Sequence, residues 1–475
     1  MAIDEQAVRT EFEAILGPGG WLTDPDDTLK YRTDWRGGSV GEAIGVARPA
    51  NTEAVVALVR AARERGVALV PQGGNTGLVL GSIPTEVKPT IVVTMERMNR
   101  VRQLDADNYA LVAEAGCVIQ RVQETAADAG RLFPLSLASE GSSTIGGTLS
   151  TNAGGNQTIR FGNAREQVLG LEVVLADGTV FDGLNTLRKN NTGYDLKHLF
   201  IGAEGTLGII TAAAIRLMPL PRVLETAFLA VPDPHAALKL LGMAREQSGD
   251  AILAFELIPR RALDLAFEHI EGCLDPLSEP SPWYVLMEMA TSSTVDDLRD
   301  KLERIVEAAM EDGLVTDGVV AESEAQRRAL WRPREEQAEA RRKSGLLGIG
   351  GDVSVPVARV AAFLDSSMAR LNDILPDLDF NAFGHVGDGN IHYSVYKPDA
   401  MTPELWNQHA GRMKDALDEE VVEYGGSFSA EHGIGSLKRE ELSRYAPASK
   451  LALMQTIKQA VDPEGLMNPG KIFGG

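Results

Sequence analysis

Pro71-Gln-Gly-Gly-Asn-Thr-Gly77 is a turn dense in glycine and small polar residues, and it follows a short apolar run, residues 67–70, that predicts a buried strand. A helix precedes the strand, because Asn51 offers a cap, apolar residues recur at a spacing near 3.6, and Gly66 ends the pattern. The backbone amides of such a turn can wrap phosphate oxygens. It is neither a Walker loop nor the dinucleotide GxGxxG turn, since it lacks Gly-Lys-Ser/Thr and no helix pattern follows it.

A second loop of the same kind, Gly141-Ser-Ser-Thr-Ile-Gly-Gly147, leads into Thr151-Asn-Ala-Gly-Gly-Asn156, and residues 200–211 place three more glycines beside a strand-like run. Strand-like segments (91–94, 110–115 and 171–176) and a helical one (118–129) surround these loops. Two separated glycine loops suit a long cofactor with a pyrophosphate in its middle. The alternative is a set of ordinary turn glycines in an α+β domain.

The composition changes at Pro219-Leu-Pro221, which predicts a domain boundary. Beyond it, strands and helices alternate up to residue 321, a pattern typical of an antiparallel sheet with helices on one face, as in ferredoxin-like units. A further helix over residues 322–343 is expected to break or kink at Pro333. This helix is rich in arginine and lysine within an acidic chain. A solvated amphipathic face accounts for most of these residues, and we single out only Arg334 as a group for a substrate carboxylate.

Metal-ligand side chains occur in two glycine-rich stretches. Phe383-Gly-His-Val-Gly-Asp-Gly-Asn-Ile-His392 predicts a tight hairpin, with His385 and His392 at facing ends of two paired strands. The second stretch, Ser429-Ala-Glu-His-Gly-Ile-Gly435, adds a carboxylate and an imidazole. Two histidines and Glu431 form a three-ligand set that leaves one coordination position open, as catalytic sites do. The alternative is that these are hydrogen-bonded histidines of a hairpin and a surface loop.

Length, charge and cysteine content bound the class of protein. The chain has 475 residues, enough for two or three domains, a formal net charge of −21 and a sequence pI near 4.9. Such a surface argues against nucleic acid or an anionic membrane as partner. Cys117 and Cys273 are the only cysteines, too few for a disulfide framework. With an acidic N-terminus and no apolar run of membrane-spanning length, the sequence predicts a cytoplasmic location.

With these residues in view, the sequence resembles the flavoprotein family of D-lactate and D-2-hydroxyglutarate dehydrogenases, within the vanillyl-alcohol oxidase group. The resemblance covers nearly the whole chain. It is carried by the two glycine loops, the hairpin and four further motifs: Asn191-Thr-Gly-Tyr-Asp-Leu196, Gly202-Ala-Glu-Gly-Thr-Leu-Gly-Ile209, Ala430-Glu-His432 and Asn468-Pro-Gly-Lys471. It implies an α+β fold: an FAD-binding domain over residues 1–220, a ferredoxin-like cap over 221–445, and a C-terminal segment, 446–475, that returns to the FAD domain.

The resemblance also implies site residues. Those that would bind FAD are Pro71, Gly73, Gly74, Asn75, Thr76, Gly77, Gly141, Ser142, Thr144, Gly147, Asn152, Gly155, Glu204, Gly208, Ile209, Asn468 and Lys471. A divalent cation on His385, His392 and Glu431, zinc ahead of manganese, would lower the pKa of the substrate hydroxyl. His432 would act as general base, Arg334 would bind the carboxylate, and hydride would pass to flavin N5.

The resemblance extends to partners and to the mode of FAD binding. Gln72-Gly73-Gly74 offers neither the histidine nor the cysteine that tethers flavin in several relatives, and Cys117 lies on another segment, so we expect non-covalent FAD. The electrons would pass to an electron-transfer flavoprotein or a quinone, and a homodimer is compatible with the family. The small-molecule partner would be a D-2-hydroxy acid, oxidised to the 2-oxo acid.

The sequence departs from its relatives at three substrate positions. D-2-hydroxyglutarate dehydrogenases typically carry a Ser or Thr, a Lys and an Asn where this chain has Ala338, Gly350 and Ser394. A distal carboxylate would lose charge-assisted hydrogen bonds worth about 1.5–3 kcal/mol each. We therefore predict a preference for a D-2-hydroxy acid other than D-2-hydroxyglutarate, such as one with a bulkier or uncharged side chain.

Two other functions stay open from the residues alone. A metal-dependent hydrolase without flavin would use the same two histidines and glutamate to activate water. A flavin-binding subunit without turnover of its own would not need the metal residues. The glycine loops argue against the first alternative, and the three ligands argue against the second.

Overall fold

A computed structural model of the chain describes residues 4–474, which form two compact units. The first unit comprises the residues up to Gly155, Phe161–Leu220, and the residues from Glu431 onward; the second comprises Asn156–Arg160 and Pro221–Ala430. The division after Leu220 lies at the predicted composition change. The return to the first unit begins at Glu431, whereas the sequence placed it at residue 446. In the described residues, no helix combines the length and the hydropathy that crossing a membrane requires.

Two sheets form the framework of the first unit. Its strands are β1 (Trp21–Leu22), β2 (Val46–Ala47), β3 (Ala68–Gln72), β4 (Thr90–Thr94), β5 (Val101–Asp105), β6 (Ala110–Glu114), β7 (Arg131–Leu132), β8 (Val168–Val174), β9 (Val180–Asp182), β10 (Ile209–Arg216) and β11 (Met218–Pro219). One sheet has the order β1-β2-β4-β3, with β4 parallel to both β2 and β3. The other, β5-β6-β10-β8-β9, is antiparallel throughout.

The helices up to residue 200 range from four to 14 residues, and the longest of them was predicted together with both of its caps. They are α1 (Glu5–Leu16), α2 (Pro25–Arg32), α3 (Thr52–Arg65), α4 (Ile119–Asp128), α5 (Ile145–Thr151), α6 (Thr158–Phe161) and α7 (Lys197–Phe200). As predicted, the Asn51 side chain caps α3 by accepting from Ala54 N, and Gly66 ends it in the left-handed conformation at φ 67°. Its apolar stripe, including Val55 and Leu58, is fully buried, and such side chains each contribute about 1.5–3 kcal/mol.

The second unit contains two antiparallel sheets. Its strands are β12 (Val223–Val231), β13 (Ile252–Pro259), β14 (Trp283–Thr291), β15 (Asp317–Val320), β16 (Gly348–Ser354), β17 (Asp379–Phe383) and β18 (Asn390–Tyr396). The sheet orders are β13-β14-β12-β15 and β16-β18-β17. Leu257 on β13 and Gly384, just past β17, exchange backbone hydrogen bonds of 2.9 and 3.0 Å. This bridge brings β13 beside the predicted hairpin, β17–β18.

Helices pack on both faces of the first of these sheets, so the prediction of helices on one face was wrong. They are α8 (Pro234–Ser248), α9 (Arg260–His269), α10 (Leu298–Glu311), α11 (Glu324–Glu335), α12 (Gln337–Ser344), α13 (Val360–Ile374) and α14 (Pro403–Glu423). Helices α8 and α10 share a core with Leu229, whereas α9 and α11 share one with Phe228. Because successive strand residues point to opposite faces, apolar residues at both positions require a cover on each side.

The arginine-rich helix is interrupted after Glu335 and not at Pro333, where the break was predicted. Pro333 lies inside α11, and the chain turns at Glu336 before α12 begins at Gln337. The Gln337 side chain donates to the Pro333 carbonyl at 2.7 Å, so the carbonyl remains hydrogen-bonded at the end of the helix.

The C-terminal segment belongs to the first unit and contains α15 (Arg439–Tyr445) and α16 (Ala448–Val461). Beyond α16, Asn468 N donates to Leu69 O and Leu69 N donates to Leu466 O, both at 2.8 Å. These bonds add the segment alongside β3, the strand that leads into the first glycine loop.

Candidate functional site

The two glycine loops of the first unit pack directly against each other. A Cβ atom at Gly74 would lie 1.9 Å from the Ser142 carbonyl oxygen, and one at Gly73 would lie 2.4 Å from Thr144 Oγ1. A side chain at Gly74 would have to move the Ser142 backbone, and one at Gly73 would have to move the Thr144 side chain. Thr76 Oγ1 also lies 3.2 Å from Ser143 Oγ. The loops that the sequence placed around one cofactor therefore form a single backbone cradle.

Neighbouring residues fix the shape of this cradle. Asn75 has φ 54° and is held there by its side chain, which donates to Thr33 O at 2.8 Å. Thr144 caps α5 and accepts from Gly147 N at 3.4 Å. Gly77, by contrast, has open space where a Cβ would point. Close backbone approach on one side and open space on the other fit the pyrophosphate of FAD.

The C-terminal motif also reaches this region. Asn468 donates to Gly81 O at 2.9 Å and to Glu204 O at 2.7 Å, while its buried Oδ1 lacks a protein partner among residues 4–474. Lys471 donates to Ile83 O at 2.6 Å, and burial lowers the pKa of its ammonium to about 8. Both side chains therefore lie beside residues that follow the first loop.

The other predicted cofactor residues are placed by their local surroundings. Asn152 ends α5 at φ 52° and accepts from Arg165 N at 3.0 Å. A Cβ at Gly155 would lie 1.9 Å from Ser136 O, and one at Gly141 would lie 3.4 Å from Gln120 Oε1. Pro71 lies in β3, and Ile209 begins β10 directly after Gly208, which packs on Val173 of β8.

Glu204 makes contacts that the sequence did not predict. Its carboxylate accepts from Ile434 N and Gly435 N, each at 2.7 Å. Burial raises the pKa of this carboxyl, while the two amides and the nearby Lys471 ammonium oppose the rise. The predicted cofactor residue thus contacts the loop that follows Glu431 and His432.

The three predicted metal ligands come together. One ligand atom from each of His385, His392 and Glu431 lies within 4.8 Å of the others. Glu431 directly follows Ala430, whose amide donates to Asp352 O at 3.1 Å, so the backbone of the second unit leads into this ligand. His392 stands opposite Phe383 in the ladder, and His385 lies two residues past the strand. The prediction of two opposed strand-end histidines was therefore wrong in register, although their rings are 5.4 Å apart.

A buried carboxylate, Glu256 of β13, sets the orientation of His385. Its Oε1 lies 2.6 Å from His385 Nδ1. Burial alone would raise the pKa of Glu256, but the Arg334 guanidinium and the His385 ring lower it to about 2. Because the Glu256 carboxylate is ionised, it accepts a hydrogen bond from the protonated Nδ1 of His385. The lone pair on Nε2 is then left for a metal. This carboxylate–histidine arrangement is the one that metal-binding histidines use.

The second histidine also has a carboxylate on its Nδ1 side. Asp352 stands opposite His392 in the β16–β18 ladder, and its Oδ1 lies 3.9 Å from His392 Nδ1. Asn390 donates to the same Oδ1 at 2.9 Å. Nearby, burial raises the pKa of Asp388 to about 6. The donor set and its carboxylate supports fit a divalent cation with an open position.

Arg334 is buried beside this centre. Its Nε donates to Glu256 Oε2 at 2.7 Å, its guanidinium lies over the Phe383 ring at 4.8 Å, and Nη2 is 3.3 Å from His385 Nε2. A cation on His385 would take that lone pair and leave Nη2 available to a carboxylate. Glu256 therefore holds both the histidine predicted as a metal ligand and the predicted substrate arginine.

Two of the three predicted substrate positions face each other. Gly350 pairs with Ser394, and Ser394 pairs with Asn381 on its other side, two residues along β18 from His392. A Cβ at Gly350 would lie 3.6 Å from both Ser394 Oγ and Arg341 Nη1. Ala338 is exposed on α12, the helix that also carries Arg341. Arg341, which was not singled out from the sequence, thus lies beside Gly350, the position at which a lysine was expected.

His432 is half-buried and follows Glu431 directly. Sequence reasoning missed three residues near the centre: Glu256, Asp352 and Arg341. A signal existed for Glu256, since it is the single acid in the otherwise apolar run Ile252–Pro259, and a fully buried acid needs a partner. Nothing in the local pattern signalled Arg341, which is one of several basic residues on an exposed helix.

Family models identify the class of protein. Residues 43–183 match the FAD binding domain, and residues 220–472 match the C-terminal domain of FAD linked oxidases. Two solved structures share the fold: p-cresol methylhydroxylase, at 17% identity and a TM-score of 0.75 over 98% of this chain and 96% of that one, and 4-ethylphenol oxidase from Gulosibacter chungangensis, at 20% identity and 0.72 over 100% and 98%. The fold is therefore of the vanillyl-alcohol oxidase type, with its FAD-binding and cap domains.

Curated relatives narrow the family. A mitochondrial D-2-hydroxyglutarate dehydrogenase of Arabidopsis thaliana is 38% identical over 97% of this chain and 80% of its own length. The D-2-hydroxyglutarate dehydrogenases of Xanthomonas citri pv. viticola and Stutzerimonas stutzeri are 38% and 36% identical, over 95% and 99% of this chain and 93% and 99% of theirs. The chain belongs to the FAD-linked oxidase family that contains these dehydrogenases.

Proposed function

We propose that this chain is an FAD- and divalent-metal-dependent dehydrogenase that oxidises a D-2-hydroxy acid to the 2-oxo acid. The observation that carries the proposal is the convergence of His385, His392 and Glu431 within 4.8 Å in a chain of the FAD-linked oxidase family. Hydrolysis without flavin does not suit a chain with an FAD-binding domain, and a subunit without turnover would not need a supported ligand set.

Each residue has a role in this reaction. When bound, FAD supplies the hydride acceptor and the cation supplies Lewis acidity toward the substrate hydroxyl. His385 offers Nε2 to the cation because Glu256 holds the proton on Nδ1. A ring nitrogen of His432 takes the hydroxyl proton. Arg334, fixed at Nε by Glu256, donates from its Nη atoms to the substrate carboxylate.

The finer cofactor assignments follow from the ligand chemistry. Two imidazoles and a carboxylate suit zinc first and manganese second. FAD is bound without a covalent tether: Cys117 is fully buried, and that burial raises the pKa of its thiol to about 11, which makes it a poor nucleophile. An electron-transfer flavoprotein or a quinone would reoxidise the flavin. We keep the cytoplasm as the predicted location, to be tested by cell fractionation.

The preferred side chain of the substrate differs from that of D-2-hydroxyglutarate. The row at Gly350 and Ser394 offers fewer donors than a lysine and an asparagine would, which favours bulkier or uncharged groups. Arg341 restores one positive charge at this row, because its Nη1 lies 3.6 Å from where a Gly350 Cβ would be. Turnover of a dicarboxylic acid would therefore depend on Arg341.

A panel of D- and L-2-hydroxy acids with an artificial electron acceptor tests the proposal. We expect turnover of D-isomers alone, with at least one monocarboxylic acid used better than D-2-hydroxyglutarate. The highest kcat/KM on D-2-hydroxyglutarate would contradict the side-chain preference, and turnover confined to L-isomers would contradict the reaction itself. A purified protein that is colourless and cannot be reconstituted with FAD would restore the hydrolase alternative.

A further inference from the structure

We infer that Glu204 is a positioning residue that ties the loop carrying Glu431 and His432 to the FAD cradle. The inference rests on the proposed function, and it assigns to Glu204 a role other than the predicted contact with FAD. Its starting point is the pair of 2.7 Å hydrogen bonds from Ile434 N and Gly435 N to the two carboxylate oxygens.

The side chain of Glu204 matches the backbone that it binds. Two consecutive amides point at one carboxylate, each to its own oxygen, as in backbone nests that bind anions. The flanking glycines, Gly433 at φ 78° and Gly435 at φ 52°, both adopt the left-handed conformation. A Cβ at Gly433 would lie 2.9 Å from Glu204 Oε1. The loop is therefore shaped around this carboxylate.

The backbone of Glu204 is fixed to the cradle. Its amide donates to Ser150 O of α5 at 2.8 Å, and its carbonyl accepts from Asn468 at 2.7 Å. The next residue, Gly205, packs on Pro71, since a Cβ there would lie 3.0 Å from the proline ring. Helix α5 continues the second glycine loop, and Pro71 begins the first. One residue thus holds the cradle with its main chain and the loop with its side chain.

The loop has a second support on its other side. Ser436 N donates to Val79 O at 3.0 Å, and Ile472 N donates to Gly435 O at 2.8 Å. A Cβ at Gly435 would lie 2.0 Å from Val79 O. The segment just past Glu431 and His432 is thus held from both sides. Removing one carboxylate oxygen should loosen the loop without unfolding it.

The substitution Glu204→Gln tests this role on the holoenzyme. Glutamine keeps one acceptor oxygen but presents an NH₂ group to the second amide, which leaves a buried donor unpaired. We expect amide exchange of residues 431–436 to become about tenfold faster, because local opening then costs less. Zinc or manganese affinity, measured by calorimetry, should fall severalfold, and kcat should fall more than KM changes. Bound FAD, measured by absorbance, should stay at the wild-type level.

Two controls separate positioning from general destabilisation. Gly433→Ala should mimic Glu204→Gln, because its Cβ would press on Glu204 Oε1, whereas Gly465→Ala at φ 61° carries similar backbone strain with only Lys88 Nζ, at 3.7 Å, near its Cβ. Glu114→Gln removes a different buried carboxylate of the same unit, one paired with Arg100 and Arg102. Neither Gly465→Ala nor Glu114→Gln should change metal affinity or exchange in residues 431–436.

The outcomes are distinct. Loss of FAD from Glu204→Gln with unchanged exchange of the loop would overturn the inference and favour a direct cofactor contact. Unchanged exchange and unchanged metal affinity would also overturn it. If the wild-type protein oxidises no D-2-hydroxy acid, the proposed function fails, but the exchange and calorimetric measurements still decide the role of Glu204.

Discussion

The glycine cradle predicted for FAD and the candidate metal centre are built from different parts of the residues that form them. The cradle consists mainly of backbone: glycines at 73 and 74 let two loops meet where a Cβ would clash. The metal centre consists of side chains, and its ligands depend on carboxylates from distant strands, such as Glu256, 129 residues away from His385. A backbone cradle is therefore sensitive to added atoms, whereas a side-chain centre is sensitive to lost charges and hydrogen bonds.

The largest expected effect concerns the base beside the metal ligand. His432→Ala should lower kcat by about 10²–10⁴, the usual range for the loss of a general base, while metal and FAD contents stay at wild-type values. Glu431→Ala should instead lose metal. Steady-state rates over a pH series, with metal and flavin analysis of the same samples, would check this. Near-normal rates for His432→Ala would contradict the assignment.

FAD binding should weaken when one methyl group is added to the cradle. Gly74→Ala places a Cβ 1.9 Å from Ser142 O, so the loops must separate, and overpacking of this kind costs about 1–3 kcal/mol. We expect FAD to dissociate on dilution while zinc affinity is unchanged. Gly38→Ala is the matched control, because Gly38 lies outside both loops and the nearest atom to its Cβ would be Asp34 Oδ1 at 3.9 Å. Equal FAD retention in both variants would show that the loops do not form the cofactor site.

Metal affinity should fall when a charge is removed from Glu256, which contacts a predicted ligand but is not one itself. In Glu256→Gln, the amide holds His385 and Arg334 less strongly, so metal affinity should fall by about 10–100-fold. Calorimetric titration with zinc and with manganese measures the change, and FAD content should not change. A variant with wild-type affinity would mean that Glu256 does not set the orientation of His385.

The smallest effect is expected at the substrate side chain. Arg341→Gln should lower kcat/KM for D-2-hydroxyglutarate by no more than about tenfold, since its guanidinium is exposed and such contacts are weak. The rate with D-lactate should be unchanged. Arg342→Gln, which loses only a surface pair with Glu339, is the control. Equal losses on both substrates would exclude a role of Arg341 in side-chain recognition.

Local patterns predicted the parts of this molecule that depend on neighbours in sequence. The caps of α3, the strand before Pro71 and the β17–β18 hairpin were all predicted from residues close to one another. The packing of α9 and α11 on the second face of the sheet was not predicted, although the continuous apolar run at residues 227–231 is typical of a strand that is buried on both faces.

In the candidate site, too, the features that depend on neighbouring residues could be predicted, and those that depend on distant contacts could not. The metal ligands could be named because histidine and glutamate beside glycines are distinctive, but the register of His385 could not, since it depends on the bridge between Leu257 and Gly384. The bond from Glu204 to Ile434 spans 230 residues, and no local pattern encodes it. Family resemblance supplied residue types at these positions, whereas the structure supplied what each side chain contacts.

One titration tests the central claim most directly: the stepwise removal of metal from the holoenzyme with a chelator, followed in the same sample by metal analysis, flavin absorbance and turnover of a D-2-hydroxy acid. Because the ligands and the glycine cradle are separate sets of residues, turnover should fall in proportion to the metal removed while FAD stays bound, and added zinc or manganese should restore it. Full activity in metal-free protein would contradict the account.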